Sequence, residues 1–338
     1  MYFKMDEVKK IIEEIQKGNP APVYFLMGEE PYYIDRIERF LGNNVLTEDQ
    51  KGFNQIVLYG KDTSVGDIIS QARRYPMMSE YQVVIVREAQ HLSRTIEQLE
   101  AYARNPQPST VLVICYKYKT LDRRKKLIKA LRQHGGIVFE SKKMYENQVA
   151  EWIRRVLLGN GYTISHKAAA LLVEYLGKDL GRISNELDKL KSILPQGSEI
   201  DPEVIEKHIG ISKDFNNFEL KKAIAERDIP KATRIIKYFA ENPKENPFVM
   251  TISLLNTFFA QLLQYHGLQD HSPKNVARAL KINPYFVHEY QTAARHYPMR
   301  KVSLIIGVLR EMDLKGKGVA VPAMKQDDLL KELLHKIL

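Results

Sequence analysis

Apolar residues recur along the first part of the chain with two alternating periods. From Lys9 to Lys17 they fall at helical spacing. The run Pro22–Met27 that follows is continuous and strand-like, and it ends in a turn at Gly28. A helix is predicted from Pro31 to Leu41, with Pro31 suited to its first turn because it lacks an N–H that would go unused there. Further strand-like runs are Phe53–Tyr59, Tyr81–Val86, Thr110–Cys115 and Gly136–Glu140. Helical segments separate them at Val65–Arg74, Ser93–Arg104 and Asp122–Gln133. Strands alternating with helices imply βαβ units and a mostly parallel sheet covered on both faces. The uninterrupted apolar runs at 83–86 and 111–114 fit central strands.

After Ser141 the strand signals stop. Tyr145–Leu158, Ser165–Leu176, Leu180–Leu194 and Pro202–His208 read as helices, punctuated by Gly159-Asn160-Gly161 and Pro195-Gln196-Gly197. Ser165 and Asp201 are suited to cap the helices they precede. A polar break at 211–217 leads into a second helical block that runs to Leu338. Its longest helix, Pro247–His266, carries apolar residues at 252, 255, 258, 259, 262 and 263, the face of a bundle helix. The expected layout is an α/β domain over 1–140, a small helical domain over 141–211 and a helical bundle over 212–338.

An α/β domain followed by a small helical one is the plan of the AAA+ ATPases, so the chemistry to look for is nucleotide binding. A P-loop needs G-x-x-x-x-G-K-[ST], because its amides wrap phosphates while its Lys and Ser/Thr serve the phosphate and Mg²⁺. The chain has Met27-Gly28-Glu29-Glu30-Pro31-Tyr32-Tyr33 there, with one glycine, no lysine and two carboxylates. Glu29 and Glu30 suit a helix N-terminus, whose free amides favour negative charge. The strand 83–86 ends in Arg87-Glu88 where a metal-binding Asp-Glu would stand, and an arginine repels a cation. The next buried strand ends in Tyr116-Lys117 and lacks a polar γ-phosphate sensor. No H-E-x-x-H or G-x-S-x-G segment offers another chemistry. The one cysteine, Cys115, sits in an apolar run and reads as a small core residue. No catalytic residue, cofactor or metal ligand is expected.

These residues resemble the DNA polymerase III delta subunit family, clamp-loader subunits with a degenerate AAA+ fold. Pro22–Ile34 is similar to the family's opening, in which Gly-Glu-Glu or Gly-Asp-Glu replaces a P-loop. Asp179–Leu190, centred on Asn185-Glu186-Leu187-Asp188-Lys189-Leu190, resembles its lid-domain helix, and Phe215–Ile224 the start of its third domain. The cysteines and Ser-Arg-Cys finger usual in delta-prime are missing. The resemblance implies an AAA+-like parallel-sheet domain without a P-loop, a helical lid and a C-terminal collar bundle. It implies a subunit that opens the sliding clamp (the beta subunit) while partner tau/gamma subunits hydrolyse ATP. Delta-prime and, through the assembly, primed DNA complete the implied partners. In the family a hydrophobic pair between a helix and a strand enters a clamp pocket; here Pro76, Met77 and Met78 match that segment. Without the resemblance these methionines would read as core.

The charge adds one further candidate. Lys and Arg number 51 against 41 Asp and Glu, a formal net charge of +10 that leans toward a polyanionic partner. The densest cluster is Lys117, Lys119, Arg123, Arg124, Lys125 and Lys126, continuing to Lys129 and Arg132. It is either a solvated helix face or a non-specific contact with DNA or an acidic surface. Arg182, at the lid position of an AAA+ phosphate sensor, is expected in a salt bridge, and Trp152 in the core. The expected location is cytoplasmic: no signal-peptide core opens the chain and no stretch reads as a membrane span. Two rival functions are an active ATPase with an unusual phosphate loop and a stand-alone DNA-binding protein.

Overall fold

The continuous apolar runs of the first half form one sheet in which every pairing is parallel. Its strands are β1 (Val23–Gly28), β2 (Gln55–Tyr59), β3 (Gln82–Arg87), β4 (Thr110–Lys117) and β5 (Ile137–Ser141), in the spatial order β2-β3-β4-β1-β5. The computed structural model describes residues 3–212, 214–319 and 324–338, and the chain divides into two units, 1–144 and 145–338. Strands β1, β3 and β4 are buried along their length except at the last residues of β3 and β4. The helices of the first unit are α1 (Phe3–Gln16), α2 (Pro31–Asn44), α3 (Glu48–Asn54), α4 (Val65–Ala72), α5 (Glu100–Ala103) and α6 (Lys126–Gln133). Alternate strand residues such as Phe25, Val84, Leu112 and Ile114 share a core with Ile68 of α4 and Leu127 and Ile128 of α6. Helix α2 lies against β1, β3, β4 and β5, and α1 packs on α2. This is the parallel-sheet α/β domain expected.

Two local departures have physical causes. The segment expected as one helix from 93 to 104 forms a 3₁₀ turn, Ile96–Leu99, and the short α5, and another 3₁₀ turn, Ala89–Leu92, precedes it. Its buried residues Ile96, Leu99 and Tyr102 are spaced by three, which a 3₁₀ helix stacks on one side. Helix α3 was hidden because Glu48–Asn54 buries only Asn54, so no apolar period marks it. Cys115 is buried and burial raises its thiol pKa, as suits a core residue.

The second unit begins with α7 (Glu146–Leu158), β6 (Thr163–Ile164), α8 (His166–Leu176), α9 (Leu180–Ile193), β7 (Glu199–Ile200) and α10 (Pro202–Ile209). The parallel pair β6–β7 corrects the expectation that no strand follows residue 141. Two residues are too few to show a period. Ser165 caps α8 and Asp201 caps α10, each accepting a backbone N–H. Then follow α11 (Asn217–Glu226), α12 (Ile229–Glu241), α13 (Phe248–His266), α14 (Pro273–Leu280), α15 (Val287–His296), α16 (Met299–Gly316) and α17 (Gln326–Ile337). Their core is continuous from Leu220 to Ile337. Helix α13 is, by length and composition, apolar enough to cross a membrane, contrary to the sequence expectation. In the bundle its face Ile252, Leu255, Phe258, Phe259 and Leu262 is buried against neighbouring helices, the place of a core helix.

Charged groups line the contact between α8 and α11. Glu219 is buried, forms an ion pair with Lys167 at 2.7 Å and accepts from Lys231 at 2.5 Å. Burial alone would raise its pKa, but the two ammonium groups outweigh it and hold the carboxyl below its usual range. At Glu174 of α8 burial wins: it pushes the carboxyl up to about 8, against Lys221 and the amides of Phe218 and Asn217. A carboxyl raised in the folded state stabilises fully below its ordinary value of 4.5 and progressively less as pH rises toward about 8. The depressed Glu219 acts in the opposite sense, and its contribution falls away only as the pH drops below the ordinary carboxylate value. Thermal melting from pH 5 to pH 8, a window set by the raised Glu174, is therefore expected to show falling stability. Glu174→Gln should flatten that slope, and an unchanged slope in the variant would contradict the assignment.

Candidate functional site

A parallel sheet has two chemically distinct edges, and each carries one of the sequence candidates. At the amino edge, Gln82 and Thr110 are register partners at the starts of β3 and β4, and Asn54, the last residue of α3, immediately precedes β2. All three are buried. Gln82 Nε2 is shared among the carbonyl oxygens of Gln71, Ala72 and Arg74 and the Thr110 hydroxyl, and that hydroxyl donates to Ala72 O at 2.8 Å. These oxygens belong to the end of α4 and the residues just beyond, where a helix leaves carbonyls without intrahelical partners. Asn54 performs the same service for the following loop. Its Oδ1 accepts the Met77 N–H at 2.6 Å, while its Nδ2 donates to Met77 O at 2.9 Å and to Gln50 O at 3.1 Å.

The loop between α4 and β3 is thus fixed from beneath while its side chains face water. Met77 is 62% exposed and Met78 102% exposed, which excludes the core reading of these two residues. Pro76 is half-buried. Met78 has a left-handed backbone, φ +52°, which costs an L residue roughly 1 kcal/mol and persists where neighbours hold it. Tyr75 and, beside Asn54, Phe53 are exposed as well. Single exposed apolar residues are ordinary, whereas a group of them on one edge marks a contact surface. Sequence reasoning found the methionines and missed Asn54 and Gln82. Gln82 shows only as a lone amide at the start of an otherwise apolar strand, and Asn54 ends a helix that has no apolar period.

At the carboxyl edge, the turn after β1 packs directly against the end of β5. Gly28 approaches Ser141 so closely that a Cβ would stand 1.9 Å from Ser141 O. Three backbone amides after β1 are engaged: Gly28 N–H donates to Lys119 O, Glu30 N–H to Ser141 O and Tyr32 N–H to the Glu30 carboxylate. Glu30 is thereby the N-cap of α2, as its charge suggested, while Glu29 is exposed. Arg87 bonds Glu38 of α2 at 2.8 Å, and Lys117 bonds Asp35 of α2 at 2.7 Å and Glu88 at 3.4 Å. Burial alone would lower the Lys117 pKa, but the hydrogen bond and charge of Asp35, with Glu88, raise it. Glu38, with Tyr59, raises that of Arg87.

The basic segment is largely compensated. Besides Lys117, Arg123 pairs with Glu140 at 2.7 Å, Arg124 with Asp122 at 2.6 Å and Lys125 with Glu97 at 2.9 Å. Lys119 bonds Ser93 Oγ, while Lys126, Lys129 and Arg132 are exposed and carry no ion pair among the described residues. Arg182 corrects its expectation: it is exposed and its guanidinium has no ion pair among the described residues, since α9 presents it to solvent. Trp152 is buried as expected.

Two family models match the chain, that of the DNA polymerase III delta subunit over residues 24–141 and that of its C-terminal domain over 214–333. DNA polymerase III subunit delta of Bacillus subtilis (strain 168) is 28% identical over 333 residues, spanning 95% of this chain and 94% of the relative. The solved structure of the Bacillus subtilis DNA clamp loader delta protein matches with a TM-score of 0.58 at 25% identity. That match covers 98% of this chain and 99% of the other.

The exposure of the two methionines has a direct consequence for stability. The double variant Met77→Ala, Met78→Ala is expected to unfold within about 0.5 kcal/mol of the parent, as surface changes do. A loss of several kcal/mol, the cost of roughly two emptied core sites, would return them to the core.

Proposed function

This chain belongs to the DNA polymerase III delta subunit family, and from that premise we propose that it binds the sliding clamp through Met77 and Met78 and holds it open. The observation that carries this reading is an apolar pair left in water on a loop whose backbone is fixed. Methionine is unbranched and polarisable, so two of them can fill an irregular pocket without an aromatic ring. Pro76 restricts the approach to the pair. A ligand shifts an equilibrium only by its difference in affinity for the two states. The chain therefore acts by binding the open clamp more tightly than the closed one.

The energy of the cycle comes from ATP held by neighbouring tau/gamma subunits, and this chain has no catalytic role. Support lies in the occupied amides after β1 and in the ion pairs that close the carboxyl edge. We divide the helical half into a lid over 141–211 and a collar over 212–338. The collar, whose core is its own, joins the chain to the ATPase subunits and delta-prime. The segment Lys117–Lys126 serves as a non-specific contact with DNA in the assembly. Its field is modest because four of its cations are paired at home.

Two measurements test the reading. Truncating both anchors, Met77→Ala with Met78→Ala, is expected to weaken binding to the cognate clamp by about 2 kcal/mol or more. Unchanged affinity would exclude this loop as the contact. Calorimetric titration of the full chain with Mg·ATP is expected to give no binding heat, and saturable binding in the micromolar range would overturn the proposed loss of the nucleotide site.

A further inference from the structure

We infer that Asn54 is a positioning residue for clamp binding, acting through the backbone of Met77 and touching no partner itself. The inference rests on the proposed role of Met77 and Met78. Asn54 is the last residue of α3, with its side chain almost wholly buried. Its carboxamide engages both polar groups of the Met77 backbone and also the Gln50 carbonyl of its own helix. A single side chain thus gives Met77 the two bonds that a neighbouring strand would give, at a point where no strand runs. Once the N–H and C=O of Met77 are turned onto Asn54, its side chain is left on the outer surface, and Met78 follows in its left-handed conformation.

The consequence is preorganisation. An apolar loop of this length, free in water, would lose backbone freedom on docking, and that loss subtracts from affinity. Here the loss has been taken during folding. Gln82 contributes at the start of the loop by holding the carbonyl groups of Gln71, Ala72 and Arg74. Of the two, Asn54 is the one that reaches the anchor itself. An aspartate at 54 would keep the acceptor for Met77 N–H but lose the donor to Met77 O, and its charge would face that carbonyl.

The test uses the full chain and its cognate clamp. Asn54→Ala is expected to bind roughly tenfold more weakly, the equivalent of about two modest hydrogen bonds and the lost preorganisation. Hydrogen exchange should show the Met77 amide losing protection while β3 and β4 keep theirs. In a double-mutant cycle the Asn54→Ala change should cost almost nothing once Met77 and Met78 are alanines, because it acts only through them. Parent affinity in Asn54→Ala, with the methionine variant still defective, would overturn the positioning role and leave the clamp reading standing. An equal loss in both backgrounds would make Asn54 a general structural residue and also overturn it. Should Asn54→Ala fold poorly, Asn54→Asp keeps the side chain's shape, and parent affinity in that variant would overturn the inference equally.

Discussion

A parallel sheet buried on both faces leaves only its two edges free to carry function, and this constraint organises the α/β unit. The strands β1, β3 and β4 have no solvent face, so everything they present to a partner leaves from their ends. In open α/β sheets ligands ordinarily bind outside the carboxyl ends of the strands. Here that edge is closed. Glu38 and Asp35 of α2 reach Arg87 and Lys117 at the ends of β3 and β4, and the Glu30 carboxylate caps α2. These ion pairs hold α2 to the ends of the strands.

The opposite edge has the contrary design. A row of buried amide and hydroxyl groups, Asn54, Gln82 and Thr110, satisfies the carbonyls at the end of α4 and the backbone of Met77. Buried polar groups of this kind are costly unless every one is bonded, and these bond the backbone of a loop. The result is an apolar surface that is exposed and yet ordered. One edge is tied together by ion pairs, and the other presents exposed apolar side chains on a loop held by buried polar groups.

Much of the fold was legible because the apolar runs are long and the punctuation is strong. The five strands lie within two residues of the segments their apolar residues mark, since Val83–Val86 and Val111–Ile114 admit no other reading in an alternating pattern. Helix α3 and the β6–β7 pair were not legible, being too short or too polar to carry a period. The methionines were visible only by family resemblance, because apolar residues near a strand ordinarily lie in the core. The partners of the charged groups were hidden for a different reason. Glu38 and Arg87 are 49 residues apart and Asn54 and Met77 are 23 apart, and no local pattern pairs residues across such separations. The basic run therefore looked denser in sequence than it is in space, where Glu97, Glu140 and Asp35 neutralise part of it.

On the proposed function, the fixed loop at the amino edge of the sheet meets the clamp. A structure of the full chain bound to its cognate clamp tests it most directly. The expected result is Met77 and Met78 buried in a clamp pocket, with the Asn54 bonds to Met77 retained and the carboxyl edge still closed by its ion pairs. A complex in which both methionines remain in solvent while another surface holds the clamp would contradict the account.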